Sequence, residues 1–203
     1  MRLNQTLLRF ALGITLLLVA SQASAAVILS LLPSSQDAVP SQTVNLALTI
    51  SGLGNHVAPS LGAFDLNFNF DSSMLIFTGY TLSGLLGILG TDEADDLSLG
   101  AVGNSINLAE LSNLSPSQLA TLQPQPLSGF SLATLTFQVG NLSRFERTSV
   151  SFGQISVLSD ENGDPLQITA TNGAVIGNPV PEPPAILLIG LGLTLLLRNR
   201  RRI

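Results

Sequence analysis

Four carboxylates lie within a stretch of five residues, at Asp92, Glu93, Asp95 and Asp96. Oxygen ligands at this density suit Ca²⁺, which binds about six to eight of them. The spacing is not that of an EF-hand loop, because the sixth position of the stretch lacks glycine and the twelfth lacks glutamate. The pattern therefore favours a solvated acidic loop, with a structural Ca²⁺ site as the alternative.

A second group of polar residues runs from Asp160 to Asp164 and contains Asn162-Gly163. Asn-Gly between two strand patterns is a strong hairpin signal, because both residues tolerate a positive φ. Asp160 and Asp164 are also weak candidates for Ca²⁺ ligands. The sequence favours a turn here, with no confident metal site and no required cofactor.

Catalytic groups are scarce. His56 is the single histidine, and it lies in a loop of turn-forming residues from Gly52 to Pro59. The chain lacks the Gly-x-Ser-x-Gly elbow that presents the nucleophile of many serine hydrolases. It also lacks cysteine, which excludes thiol catalysis, thiolate metal sites and disulfides. We therefore predict no catalytic residues and a protein that is not an enzyme.

Charge is distributed unevenly along the chain. Residues 26–178 contain 12 acidic residues and only Arg144 and Arg147 as basic ones, a formal charge of −10, whereas the whole chain carries −5. This excess of negative charge argues against nucleic acid and anionic lipid as partners. Divalent cations, neutral glycans and basic protein surfaces are compatible with it.

The elements that would position these residues are mainly strands. Apolar residues alternate with polar ones, most clearly from Phe64 to Phe70, and clusters of Gly, Asn, Ser and Pro separate such runs. This pattern predicts an all-β fold, an antiparallel β-sandwich of about nine strands, for which a jelly roll is one arrangement. The expected strands cover residues 26–32, 44–50, 64–70, 75–82, 97–102, 105–111, 135–139, 149–158 and 166–176.

One short segment favours a helix instead. Ser115 is suited to the N-cap position, Pro116 to the first helical position, and Pro124 and Pro126 would end the helix. We expect one or two helical turns from Ser115 to Leu122.

The N-terminus has the features of an export signal. Arg2 and Arg9 form a basic start, residues 10–20 are apolar, and Ala23-Ser24-Ala25 precedes Ala26. This arrangement predicts a secretory signal peptide over residues 1–25, cleaved by signal peptidase before Ala26. A retained membrane helix is the alternative.

The C-terminus has three adjoining parts. Pro181, Pro183 and Pro184 make residues 180–184 extended. Residues 185–197 carry no charge and would form a transmembrane helix of roughly 20 Å, shorter than the ~30 Å hydrocarbon core. A basic tail at 198–203 would keep the C-terminus cytoplasmic. Its basic residues are Arg198, Arg200, Arg201 and Arg202.

These features resemble the PEP-CTERM sorting signal of Gram-negative bacteria. The resemblance rests on the motif Val180, Pro181, Glu182 and Pro183, on the apolar segment with Gly190 and Gly192, and on the arginine cluster. It implies recognition by an exosortase, a transient hold in the inner membrane, and delivery to the cell surface or the extracellular polysaccharide. It implies nothing about the domain in front of it.

The domain itself resembles the cohesin-like modules. The resemblance covers residues 27–177 and rests on low-specificity pieces: the segments 39–44 and 62–75, the strand at 132–137, Val150-Ser151-Phe152, the turn at 160–164 and a closing strand at 174–176. It implies a nine-stranded jelly roll related to bacterial carbohydrate-binding modules.

The expected organisation is therefore a signal peptide at 1–25, a cohesin-like sandwich at 26–178 and a sorting signal at 179–203. The expected function is a non-enzymatic, exported surface or matrix protein for adhesion or scaffolding, with another surface protein as a possible partner. One alternative is a carbohydrate-binding module for extracellular polysaccharide that uses Tyr80. A surface hydrolase built on His56 or two carboxylates is another.

Overall fold

The computed structural model describes residues 26–123 and 129–178. They contain twelve strands and one helix. The elements are β1 (Val27–Leu32), β2 (Ser35–Asp37), β3 (Thr43–Ser51), β4 (Leu61–Asn69), β5 (Leu75–Leu82), β6 (Ala94–Asp96), β7 (Gly100–Val102), β8 (Ser105–Ser112), α1 (Pro116–Leu122), β9 (Phe130–Val139), β10 (Arg147–Asp160), β11 (Ile168–Asn172) and β12 (Ala174–Gly177).

The strands form two sheets that pack as a sandwich. The five-stranded sheet has the order β11-β1-β3-β9-β5, and the seven-stranded sheet has the order β2-β12-β10-β4-β8-β6, with β7 beside β8. Three of the twelve strands have only three residues, which leaves nine longer ones in the described part of the chain. The predicted all-β sandwich is confirmed.

Both sheets are mixed rather than purely antiparallel. β1 pairs with β11 in parallel, and β2 pairs with β12 in parallel. The cause is that the first and last segments of the domain each change sheet, at Pro33-Ser34 and at Gly173. A Cβ at Gly173 would lie 2.6 Å from the Val150 carbonyl oxygen, so this crossing requires glycine. The expected single strand at 166–176 is therefore two strands.

The interior is made of the alternating apolar residues. On β4, Phe64, Leu66 and Phe68 are buried, while the residues between them face outward. Phe137 of the opposite sheet packs edge-on against Phe70 at a centroid distance of 5.6 Å. Offset and edge-to-face contacts of this kind stabilise aromatic cores beyond the area they bury.

The expected strand at 97–102 is wrong in its bounds. The structure has β6 before it, an extended link at Leu97, Ser98 and Leu99, and only then β7. The apolar residues of this stretch remain exposed, so their alternation did not report burial.

The predicted helix is present as α1. The Ser115 N–H donates to Oε1 of Gln118 at 3.0 Å, and Leu119 is the residue that the helix buries. Immediately after α1, the buried Gln123 fixes the start of β4. Its Oε1 accepts the Leu61 N–H at 2.7 Å, and its Nε2 donates to the carbonyl oxygens of Leu61 at 2.7 Å and Leu85 at 3.1 Å.

We predict that Gln123→Ala lowers the free energy of unfolding by about 2–3 kcal/mol, because it leaves the buried backbone groups of Leu61 without partners. Chemical denaturation measures the loss. The matched control is Gln138→Ala, since Gln138 is exposed on β9 and should change stability by less than about 0.5 kcal/mol. Equal effects of the two substitutions would contradict this role of Gln123.

Candidate functional site

A groove of about 340 Å³ lies on the outer face of the seven-stranded sheet. Outward-facing positions of β4, β8 and β10 form its floor, and the link between β6 and β7 forms one wall. Four of its apolar side chains are exposed, with Leu99 80% exposed. We call this feature the leucine groove; its apolar residues are Leu97, Leu99, Leu111 and Val157.

Hydrogen bonds hold the wall of the groove over β8. The Leu97 N–H donates to the Ala109 carbonyl oxygen at 2.9 Å, and the Leu99 N–H donates to Oδ1 of Asn107 at 3.1 Å. Between them, the Ser98 hydroxyl donates to the Ala109 carbonyl at 3.2 Å. These hydrogen bonds fix the backbone that carries the two exposed leucines.

Polar groups occupy one end of the groove. Nδ2 of Asn107 donates to Oδ1 of Asp65 at 2.6 Å and to Oδ1 of Asn67 at 3.3 Å. The carboxylate of Asp65 thus sits beside an apolar rim. This arrangement suits a protein surface that presents apolar side chains together with a donor or a positive charge.

The acidic stretch at 92–96 forms no common site. Glu93 accepts the Ile88 N–H at 2.9 Å, Asp95 accepts from Nδ2 of Asn113 at 2.9 Å, and Asp96 accepts from the Tyr80 hydroxyl at 2.8 Å. Within residues 26–123 and 129–178, no three acidic, histidine or cysteine side chains converge as a metal would require.

Asp96 links the two sheets at their β5–β6 edge through Tyr80. Partial burial acts to raise the pKa of the Asp96 carboxyl, but hydrogen bonds from Ser98 and Tyr80 hold that pKa below its ordinary value. Because Tyr80 is engaged in this bond, its ring is held at the edge of the sandwich.

Two aspartates organise turns. Oδ1 of Asp160 accepts the N–H groups of Asn162 at 2.8 Å and Asp164 at 2.9 Å, and Gly163 has a φ of 85°. Asp71 accepts the Ser73 hydroxyl and N–H, which lowers the pKa of its carboxyl. These contacts account for both aspartates as turn residues.

His56 has a structural contact rather than a catalytic one. Its ring Nδ1 lies 3.0 Å from the Thr121 carbonyl oxygen, and its backbone N–H donates to the Gln123 carbonyl oxygen at 3.4 Å. These bonds attach the loop at 52–59 to the end of α1.

A larger cleft of about 580 Å³ lies between α1 and the loop at 84–93. Among its apolar lining residues, Ile88 is exposed and Leu114 and Leu122 are partly buried. The leucine groove exposes four apolar side chains and is therefore the better candidate for a protein-binding site.

Glu110 is a buried carboxylic acid for which the sequence analysis made no prediction. It occupies an inward position of β8, is 1% exposed, and neither carboxylate oxygen has a hydrogen-bond partner within the described residues. Burial raises its pKa to about 7, and the negative charge of Asp96, its cross-strand neighbour, adds to the shift. The signal was available, since Ile106, Leu108 and Glu110 share one face of a strand.

Several predicted sites lie outside the described residues: the signal-cleavage residues Ala23 and Ala25, the sorting motif at 180–183, the membrane segment at 185–197 and the arginines at 198–202. Ala26, described and exposed, directly precedes β1. The described residues contain no helix with the length and apolar character of a membrane span.

The fold is similar to that of cohesin modules. A cohesin from Clostridium acetobutylicum aligns with a TM-score of 0.58 at 17% identity, over 77% of this chain and 92% of that chain. A type I cohesin–dockerin complex from Clostridium thermocellum gives 0.58 at 8% identity, over 76% and 99%. The sixth cohesin of scaffoldin B from Acetivibrio cellulolyticus, in complex with a Cel5 dockerin, gives 0.57 at 13% identity, over 75% and 99%.

At these identities the likeness establishes the fold, and the expected cohesin-like sandwich is confirmed. No protein-family model and no curated protein matches the chain.

We predict that stability falls as pH rises from about 5 to 8. Glu110 has a pKa of about 7 in the folded protein and about 4.3 when unfolded, so the folded state binds the proton more tightly and loses this advantage on ionisation. The unfolding equilibrium constant should rise roughly 10- to 100-fold over this range.

Glu110→Gln should remove most of this dependence, because glutamine stays neutral at every pH. Thermal melts across the range measure both proteins, and Asp92→Asn, at an exposed carboxylate, is the control. A Glu110→Gln variant that retains the full pH dependence would show that another group is responsible.

Proposed function

We propose that this is a non-enzymatic, exported surface or extracellular-matrix protein whose sandwich domain serves adhesion or scaffolding by binding a protein partner. The leucine groove carries this proposal. Exposed apolar side chains that form a contiguous patch with a polar border are typical of protein-binding surfaces. Hydrogen bonds of the Leu97 and Leu99 N–H groups fix the backbone of the groove wall, so binding would require little further ordering of that backbone.

The cohesin-like fold supports a protein partner in particular. Two of the similar solved structures are cohesins in complex with dockerins. By analogy, we propose that the partner of this chain is also a protein, and we do not identify it as a dockerin. The charge of −10 over residues 26–178 and the position of Asp65 in the groove favour a partner with apolar anchors and basic residues around them.

We further propose that the chain reaches its place by the route that its two termini indicate. Signal peptidase would remove residues 1–25 during export. The segment at 185–197, followed by its arginines, would hold the C-terminus in the inner membrane. An exosortase would then act at Val180, Pro181, Glu182 and Pro183, and the domain would pass to the cell surface or the extracellular matrix.

Among the described residues, no observation favours a hydrolase. His56 contacts only backbone carbonyl groups in the hydrogen bonds given above. The carboxylates of Asp160 and Asp71 accept bonds within their own turns. These contacts support a binding role over a catalytic one.

We predict that a photo-reactive amino acid in place of Leu99, in the full chain in its own cells, forms a discrete protein adduct. The same residue in place of Val57, 59% exposed in the loop at 52–59, should form none. Adding Leu97→Asp to the first variant should abolish the adduct, because a charge in the groove must be desolvated. Equal adducts from both positions, or none from Leu99, would contradict the proposal.

We predict separately that Glu182→Ala leaves the protein in the membrane fraction, because the change removes the charged residue of the sorting motif. Immunoblots of membrane, surface and medium fractions measure its location. Glu161→Ala is the control within the folded domain and should be released normally. Normal release of Glu182→Ala would reject the motif as the recognition element.

A further inference from the structure

The five-stranded sheet differs in kind from the seven-stranded one. Its strands β11, β1, β3, β9 and β5 contain no Asp, Glu, Lys, Arg or His. The strands of the other sheet carry seven charged residues. They are Asp37, Asp65, Asp95, Asp96, Glu110, Arg147 and Asp160. A domain with a formal charge of −10 thus has one broad face whose strands bear no charge.

Hydroxyl and amide side chains cover the centre of that face. Thr43 of β3 lies opposite Gln138 of β9, and Asn45 lies opposite Thr136. Asn45, Thr136 and Gln138 lie between buried residues, and Thr43 directly precedes the buried Val44, so all four point away from the core. Because cross-strand neighbours lie about 5 Å apart, these groups form a regular polar array.

Several side chains of this array make no hydrogen bond within the described residues. Thr49 and Thr78 donate to the carbonyl oxygens of Ser30 and Thr136. The side chains of Thr43, Asn45 and Thr136 have no hydrogen bond to any other described residue. They therefore keep donors and acceptors free for water or for a ligand.

Apolar side chains lie on both sides of the polar centre. Ile28 and Leu32 are exposed on β1, and Ile76 is exposed on β5. A polymer that suits this surface must offer hydroxyl groups to the centre and C–H surface to the sides, and it must be uncharged. Polysaccharides without ionised groups have this chemistry.

We propose that the outer face of the five-stranded sheet, which we call the threonine face, binds a neutral polysaccharide. This is a second surface, distinct from the leucine groove and independent of the function proposed for it. Aromatic stacking does not contribute, since Tyr80 is bonded to Asp96 at the edge. Recognition instead comes from hydrogen bonds across β3 and β9 and from apolar contacts at Ile28 and Ile76.

The size of the face favours this occupant over a second copy of the chain. Strands about 4.8 Å apart and roughly eight residues long give the five-stranded sheet about 500 Å² of planar area. A stable protein–protein interface buries about 800 Å² of accessible surface on each partner, so a second copy would have to cover essentially the whole of this face. A linear glycan needs only a strip of such a surface, and repeated weak contacts along a polymer give useful retention.

The test is affinity electrophoresis of the full chain in gels that contain dextran, a soluble β-1,3-glucan or a galactomannan. We expect at least one of these polymers to retard the protein, and the retardation to be unchanged at high salt because no ion pairs are involved. Thr136→Glu and Asn45→Lys should each weaken it roughly fivefold or more, although their charges are opposite, because either charge must be desolvated.

The matched control is Gln154→Glu, an exposed position on β10 of the other sheet, which should leave retardation unchanged. Thermal melts establish that each variant is folded. The proposal is overturned if none of the three polymers retards the protein, if salt removes the effect, or if the control weakens it equally. It is also overturned if sedimentation shows a dimer that Thr136→Glu dissociates, since a second copy would then cover the face.

Discussion

Packing between the two sheets is the interaction on which the rest of this structure depends. The chain has no cysteine, so no disulfide supports it, and its long strands are buried on one side only. Side chains such as Phe64, Phe68 and Phe137 fill the space between the sheets and are almost completely inaccessible. Burial of apolar area of this kind is the main favourable term in folding. The alternation that supplies it also dictates what each outer face presents.

The two outer faces consequently have different chemistry. The seven-stranded sheet carries charged residues and the leucine groove, where β8 and the link before β7 hold apolar side chains in water. The five-stranded sheet carries hydroxyl and amide groups and no charge on its strands. The two binding surfaces proposed for this domain therefore lie on opposite faces, so their partners would not compete for the same residues.

Glu110 shows what happens where the alternation admits a polar residue. Its position in β8 forces the carboxyl group between the sheets, and Asp96 lies across from it on β6. A raised pKa is the physical consequence, because burial and a like charge both disfavour ionisation. The same neighbourhood holds the Tyr80–Asp96 bond that joins the sheets and the Ser98 bonds that position the groove. The buried Glu110 carboxyl, the Tyr80–Asp96 bond between the sheet edges and the wall of the leucine groove therefore lie close together.

The alternation of apolar and polar residues was sufficient to predict the fold class and most strands, because period-two burial is a local property, as Phe64, Leu66 and Phe68 show. Local residue types also predicted the capped helix after Ser115 and the turn at Asp160. The changes of sheet at Pro33 and Gly173, which create the parallel pairs, depend instead on long-range contacts in the folded chain. Tertiary contacts also separated Glu93, Asp95 and Asp96 into different hydrogen bonds. They brought Leu97 and Leu99 over β8 and assembled one sheet entirely from charge-free strands. These outcomes depend on which distant segments become neighbours, and no residue spacing along the chain encodes that.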